Sequence, residues 1–181
     1  SRNVIGRSRK IKELLKNISE HNEKAACEKA ETVGGPAGKM LTAGIQHLRE
    51  PLELIEEIMY EHVLTTRLKL ERFLPFIAIS AASAPLLGLL GTVTGIINTF
   101  KLITVFGSGD VKTLSGGISE ALITTEFGLI VAIPSLLLHA FLSRKVKGII
   151  NQMEKTAVAF SNQVRKSDYY RENKERQQEG R

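Results

Sequence analysis

The 181-residue sequence predicts an all-α membrane protein, with long antiparallel transmembrane helices extending into a cytoplasmic helical domain. Three observations predict it. Phe73 to Phe100 contains no charged residue. Gly116 to Leu142 contains only Glu120 and Glu126. Each run exceeds the ~20 apolar residues that a bilayer crossing needs. Around both runs, apolar positions recur at helical spacing and carry the helices into polar flanks.

Residues 1–50 read as short cytoplasmic helices. Ile11, Leu14, Leu15 and Ile18 have helical spacing. Asn22 to Glu31 is rich in Ala and Glu and forms a second helix, which Gly34-Gly35-Pro36 stops. Ala37 to Leu48 is a third, with Met40, Leu41, Ile45 and Leu48 on one face. Arg2, Arg7, Arg9 and Lys10 make a cluster expected just inside a membrane, so a further spanning helix is expected upstream of Ser1.

Pro51 suits a helix's first turn. From there Leu52, Ile55, Ile58, Met59, Val63 and Leu70 continue without a turn signal into Phe73. Residues 51–100 therefore read as one helix of roughly 75 Å, cytoplasmic and then transmembrane, with Pro75 as a tolerated kink. Residues 101–115 hold Gly107, Gly109 and Asp110 and read as a periplasmic loop. Residues 116–160 form the second spanning helix, which extends into the cytoplasm through Val146, Ile149, Ile150, Met153, Ala157 and Phe160. Residues 161–181 are a polar tail whose aromatics are Tyr169 and Tyr170. Cations gather before Phe73 and after Leu142, so both outer flanks are assigned to the cytoplasm and the loop to the periplasm.

Composition narrows the function. The formal net charge is +6, but N-terminal cations alternate with Glu and no aromatics interleave a basic patch, so nucleic acid is not expected as a partner. Cys27 is the sole cysteine, which excludes an internal disulfide or a cysteine metal cluster. It reads as a structural or incidental thiol. No nucleophile–base set, metal cluster or phosphate loop appears, so neither an enzyme nor a bound metal or cofactor is expected.

The polar residues inside the runs carry the chemistry. Gly88, Thr92, Gly95 and Thr99 share a face, and Gly91 with Gly95 makes a GxxxG pair that permits close helix approach. Ala121, Thr125, Gly128, Ala132, Ser135 and His139 form a small or polar stripe on the second run. Such stripes serve helix packing or line a path. Depth favours a path. Thr92 and Thr125 lie about 12–14 Å from the outer end of an antiparallel hairpin. Glu120 and Glu126 add charge that lipid does not tolerate, so they should face protein or a wet cavity. A carboxyl group held there can carry a proton. His139 sits near the cytoplasmic end, where a hydrogen-bonded histidine is expected rather than a relay. The expected ion-path residues are Thr92, Glu120, Thr125 and Glu126. The expected packing residues are Gly88, Gly91, Gly95, Gly128 and Ala132.

Ala84-Pro85-Leu86-Leu87-Gly88-Leu89-Leu90-Gly91-Thr92-Val93-Thr94-Gly95-Ile96 resembles the MotA/TolQ/ExbB proton-channel family, nearer ExbB and TolQ. So does Gly117-Ile118-Ser119-Glu120-Ala121-Leu122-Ile123-Thr124-Thr125, continuing through Gly128-Leu129 to Ala132-Ile133-Pro134. The resemblance covers about Phe73 to Lys145 well and Ile11 to Arg72 loosely. It implies the channel-forming subunit of a bacterial inner-membrane motor that couples the proton motive force to biopolymer transport or envelope maintenance. It also implies a homo-oligomeric ring, typically a pentamer, around the helix of an ExbD/TolR-like single-span protein with a membrane aspartate. A TonB/TolA-like protein would be a further partner, and the translocated ion is a proton, with sodium the alternative. Thr92 and Thr125 fall on the family's pore threonines and Glu120 on its pore glutamate. Glu126 departs from the pattern, standing where small apolar residues are common, and would tune ion choice or pair across subunits.

The competing readings are a membrane scaffold without ion conduction and a small solute transporter. The transporter requires a bulkier midplane cavity than these side chains suggest.

Overall fold

The computed structural model describes residues 2–20, 22–107 and 111–167, side chains within 2–8 and at 106 and 113 excepted. These residues form six helices: α1 (Arg2–Ser19), α2 (Glu23–Val33), α3 (Gly35–Gln46), α4 (Leu52–Glu71), α5 (Leu74–Phe106) and α6 (Val111–Lys166). No strand occurs among the described residues. The chain divides into two units, Ser1–Leu70 with Val146–Arg181, and Glu71–Lys145.

In the first unit, local signals set each helix boundary. Asn22 caps α2, its side chain accepting from the Ala25 N–H at 3.1 Å. Gly34 and Gly35 sit at φ 62° and 63°, where a side chain is strained, and turn the chain into α3. Pro36 follows in the first turn of α3, where a missing N–H costs nothing. Close approach then builds the core. A Cβ on Gly38 would lie 2.8 Å from the Ala30 carbonyl oxygen. One on Gly44 would lie 3.1 Å from the Phe160 ring and 3.2 Å from Met59 Sδ, so α3, α4 and α6 meet there. Leu14, Ile18, Met40, Leu41, Ile55 and Phe160 are fully buried in this unit. Lys29 reaches Glu13 at 2.8 Å, and Lys10 donates to the Thr32 carbonyl at 2.9 Å, tying α1 to α2.

The second unit is a hairpin of α5 and the first part of α6. α5 has 33 residues and α6 has 56. Both contain stretches long and apolar enough to cross a membrane, and only 11% of either stretch is buried. Leu86, Leu90, Phe100, Phe127, Leu137 and Phe141 are among the many large apolar side chains left exposed. A soluble core helix would bury them; a bilayer accepts them outward. The protein is thus an all-α membrane protein.

Two expectations change. Residues 51–100 are not one helix, because Arg72 and Phe73 form a turn between α4 and α5. Pro75 lies in the first turn of α5. It offers no N–H to the Glu71 carbonyl, and the turn falls where that bond is missing. Pro85 and Pro134, by contrast, remain inside their helices. The 101–115 segment is mostly helical. Lys101–Phe106 has no Gly or Pro and continues α5 until Gly107, at φ 81°. Val111 already starts α6. Gly109 and Asp110 lie outside the described residues, as do Tyr169, Tyr170 and the tail from 168 onward.

Candidate functional site

α5 and α6 pack through small residues in antiparallel register. A Cβ on Gly95 would fall 2.6 Å from the Ala121 Cβ, and one on Gly91 would fall 2.7 Å from the Thr124 Cβ. At Gly88 it would stand 3.0 Å from the Thr124 carbonyl oxygen and the Thr125 Cα. On the other helix, a Cβ on Gly128 would sit 2.8 Å from the Ala84 carbonyl oxygen. Glycine here lets two backbones approach closely. Ala81, Ala121 and Ala132 are buried along the seam. At these positions the two backbones leave no room for a larger side chain between them.

Hydroxyls cluster at the centre of this seam. Thr92 Oγ1 and Thr125 Oγ1 hydrogen-bond each other. Thr92 Oγ1 also lies 3.1 Å from the Ala121 carbonyl and 3.2 Å from that of Gly88. Thr125 Oγ1 lies 3.1 Å from the Gly88 carbonyl. Each hydroxyl has one proton and several acceptors in reach, so the direction of donation can reverse. The sequence places Thr92 and Thr125 at matching depth because antiparallel helices of equal rise pair residues equidistant from their turn.

Thr124 joins the same cluster, donating to the carbonyl of Ala121 at 2.7 Å or of Gly88 at 3.2 Å. The sequence reading passed over it. Its signal was the tandem Thr124-Thr125, since adjacent positions on a packed helix flank the contact line and both reach the neighbour.

The carboxylates stand elsewhere. Glu120 and Glu126 are both exposed on α6, outside the hydroxyl cluster. Six residues apart, they project about 120° from each other around the helix axis. The structure therefore brings together Thr92 and Thr125 but neither glutamate with them nor the glutamates with each other. Among the other polar positions, Thr94 bonds back to the Leu90 carbonyl at 2.7 Å and Ser135 to that of Val131 at 2.7 Å. These side chains satisfy themselves within their own helix. Thr99 is buried and bonds the Gly95 carbonyl at 2.9 Å. His139 is half-buried.

Comparison with known proteins adds a second line. The profile of the MotA/TolQ/ExbB proton channel family matches residues 33–155. The chain is 48% identical over 79 residues to the biopolymer transport protein ExbB of Aquifex aeolicus (strain VF5), covering 44% of this chain and 53% of that protein. It is 38% identical over 84 residues to the Tol-Pal system protein TolQ of Pseudomonas aeruginosa, covering 46% and 36%. Against the biopolymer transport protein ExbB of Neisseria gonorrhoeae it is 31% identical over 146 residues, covering 73% and 66%. The chain thus spans between about a third and two thirds of the length of these curated relatives.

Proposed function

Since the chain belongs to the MotA/TolQ/ExbB proton channel family, we propose that it is a channel-forming subunit of an inner-membrane motor that couples the proton motive force to work across the envelope. One observation carries this reading: the hairpin is packed shut inside while Glu120 and Glu126 are exposed on its outside. Carboxylates on the lipid-length part of a helix need protein or water around them. A single hairpin supplies neither, so the path forms between copies or against a partner helix.

The assembly in this reading is a ring of this chain, a pentamer by resemblance to the family, with the membrane aspartate of an ExbD/TolR-like single-span protein at its centre. A TonB/TolA-like protein would receive the work. Both flanks of the hairpin lie in the cytoplasm, by the cations Arg67, Lys69 and Arg72 before it and Arg144, Lys145 and Lys147 after it. Glu120 receives or yields a proton at the wall. Protonation neutralises a carboxylate, and a neutral acid crosses a low-dielectric zone at far less cost than a charged one. The Thr92–Thr125 pair holds reversible hydroxyl donors beside the wall, at the separation of α5 and α6 that the small residues set. Proton is the ion the family resemblance favours over sodium, and Glu126 is the departure that bears on that choice.

A second reading draws on a specific observation. The hydroxyls of Thr92, Thr124 and Thr125 all have carbonyl acceptors within the hairpin. A scaffold would need no more than that packing role. Purification of the membrane complex discriminates the two. The channel reading expects a co-purifying protein with one spanning helix and an aspartate in that helix. A complex that repeatedly contains no such protein would sink it.

A further inference from the structure

Three threonine hydroxyls meet two backbone carbonyls at the centre of the α5–α6 hairpin. Thr92 Oγ1 can donate to the carbonyl of Ala121 at 3.1 Å, to that of Gly88 at 3.2 Å, or to Thr125 Oγ1. Thr125 Oγ1 can donate to the Gly88 carbonyl at 3.1 Å or to Thr92 Oγ1. Among the described residues Thr124 Oγ1 reaches carbonyls only, that of Ala121 at 2.7 Å and that of Gly88 at 3.2 Å. Gly91 makes room for it, since a Cβ there would stand 2.7 Å from the Thr124 Cβ.

Protons outnumber carbonyl lone pairs in this cluster. A backbone carbonyl has two lone pairs. Inside an α-helix one of them accepts the N–H four residues on, from Thr92 for Gly88 and from Thr125 for Ala121. Each carbonyl keeps one lone pair for a hydroxyl, so two lone pairs face three hydroxyl protons. Thr124 takes one carbonyl. The other serves either Thr92 or Thr125, and the remaining proton goes into the Thr92–Thr125 hydrogen bond. Without the Thr124 hydroxyl, Thr92 would donate to Ala121 and Thr125 to Gly88, and no proton would have to lie between them.

We propose that Thr124 is a positioning residue: by occupying a carbonyl, it forces Thr92 and Thr125 to hydrogen-bond each other. Its shorter contact is to Ala121. That leaves Gly88 free, the one carbonyl that both other hydroxyls reach. Thr92 then donates to Thr125 while Thr125 donates to Gly88, or Thr125 donates to Thr92 while Thr92 donates to Gly88. With Thr124 on Gly88 instead, only Thr92 could use Ala121, and the bond would run one way. Thr124 on Ala121 keeps the pair reversible. The bearing of this on ion flux rests on the channel reading above, whereas the hydrogen-bond pattern does not.

The test is a double-mutant cycle of Thr92→Val and Thr125→Val on the full chain in membrane-mimetic discs, read by reversible unfolding. Coupling is the factor by which the Thr92→Val effect on the unfolding equilibrium constant changes when Thr125 is also valine. Hydroxyls that bond each other should couple by about threefold or more. With Thr124→Val the factor should fall to about one, because each hydroxyl then has its own carbonyl. Thr124→Ser keeps the hydroxyl without the methyl and should retain the coupling. A Thr124 that only packs against Gly91 would shift overall stability and leave the coupling intact in Thr124→Val, which overturns the proposal. Coupling absent from the unaltered chain, or lost in Thr124→Ser, overturns it too. Thr124→Ala, which brings no methyl to the Ala121 carbonyl, gives the same readout should the valine variant misfold. Proton flux in liposomes with the single-span partner should fall in Thr124→Val and persist in Thr124→Ser. Collapsed coupling with unchanged flux supports the positioning and overturns the pair's part in conduction instead.

Discussion

Thr92 on α5 and Thr125 on α6 meet hydroxyl to hydroxyl, and the Gly88 carbonyl lies 3.1 Å from the second of them. That contact exists because Gly88, Gly91 and Gly95 leave no side chain between the helices. Small residues set the distance, and the hydroxyls then find partners at that distance. Packing and polar chemistry in this hairpin are therefore one feature.

Gly91→Ala tests the packing half. Its Cβ would stand 2.7 Å from the Thr124 Cβ, so α5 and α6 must separate. A loss of about 1–3 kcal/mol is expected, read by reversible unfolding in discs or micelles. Thr124→Gly added to Gly91→Ala should recover part of it. Gly116→Ala meets nothing within 4 Å and should not destabilise, since alanine is the better helix former.

The carboxylates should act separately. Since Glu120 and Glu126 project about 120° apart on α6, they do not act as one pair within a copy. Glu120→Gln should lower proton flux about tenfold or more, as expected for a wall carboxyl that carries the proton. Glu126→Gln should change the proton-to-sodium preference, with the two effects adding in the double variant. Flux and preference both unchanged in Glu126→Gln would remove Glu126 from the ion path.

Acid should loosen the α1–α2 contact. Lys29, by hydrogen bond and charge, holds the Glu13 carboxyl below its ordinary 4.5, with Arg9 adding to it. A depressed carboxyl contributes stability above its unfolded pKa and loses it as pH falls through the folded value. The contribution is thus complete at neutral pH and fades as pH falls below the ordinary 4.5. Glu13→Gln should flatten that part of the pH profile of thermal unfolding, and an unchanged profile would contradict the assignment.

Core packing around Gly44 gives a stability check independent of the membrane. Phe160 is fully buried against Gly44 and Met59. Phe160→Ala should cost about 3–5 kcal/mol, measured by denaturant unfolding of the whole chain. A loss below about 1 kcal/mol would mean that the site collapses to fill the cavity.

Much of the hairpin was legible from sequence because its determinants are local. The two runs are defined by missing charge. Matching depth for Thr92 and Thr125 follows from antiparallel rise alone. The Gly88, Gly91 and Gly95 positions show in their spacing. What escaped depends on orientation or on competing signals. Pro75 fits both a kink and a helix start, and only the Arg72–Phe73 turn distinguishes them. Lys101 looked like the edge of a loop, although the first residue that stops the helix is Gly107. Glu120 and Glu126 seemed to form one polar zone with the threonines because all lie within two turns. Rotation about α6 separates them, and rotation relative to a neighbour is fixed by tertiary packing, not by sequence distance.

The most direct test of the channel account removes the hydroxyls without changing side-chain size. Thr92→Val with Thr125→Val, co-reconstituted with the single-span partner in liposomes, is compared with the unaltered chain for proton uptake driven by a potassium-diffusion potential. The account predicts flux reduced about tenfold or more with assembly intact, because valine fills the threonine volume but carries no proton. Equal flux from an equally assembled variant would contradict it.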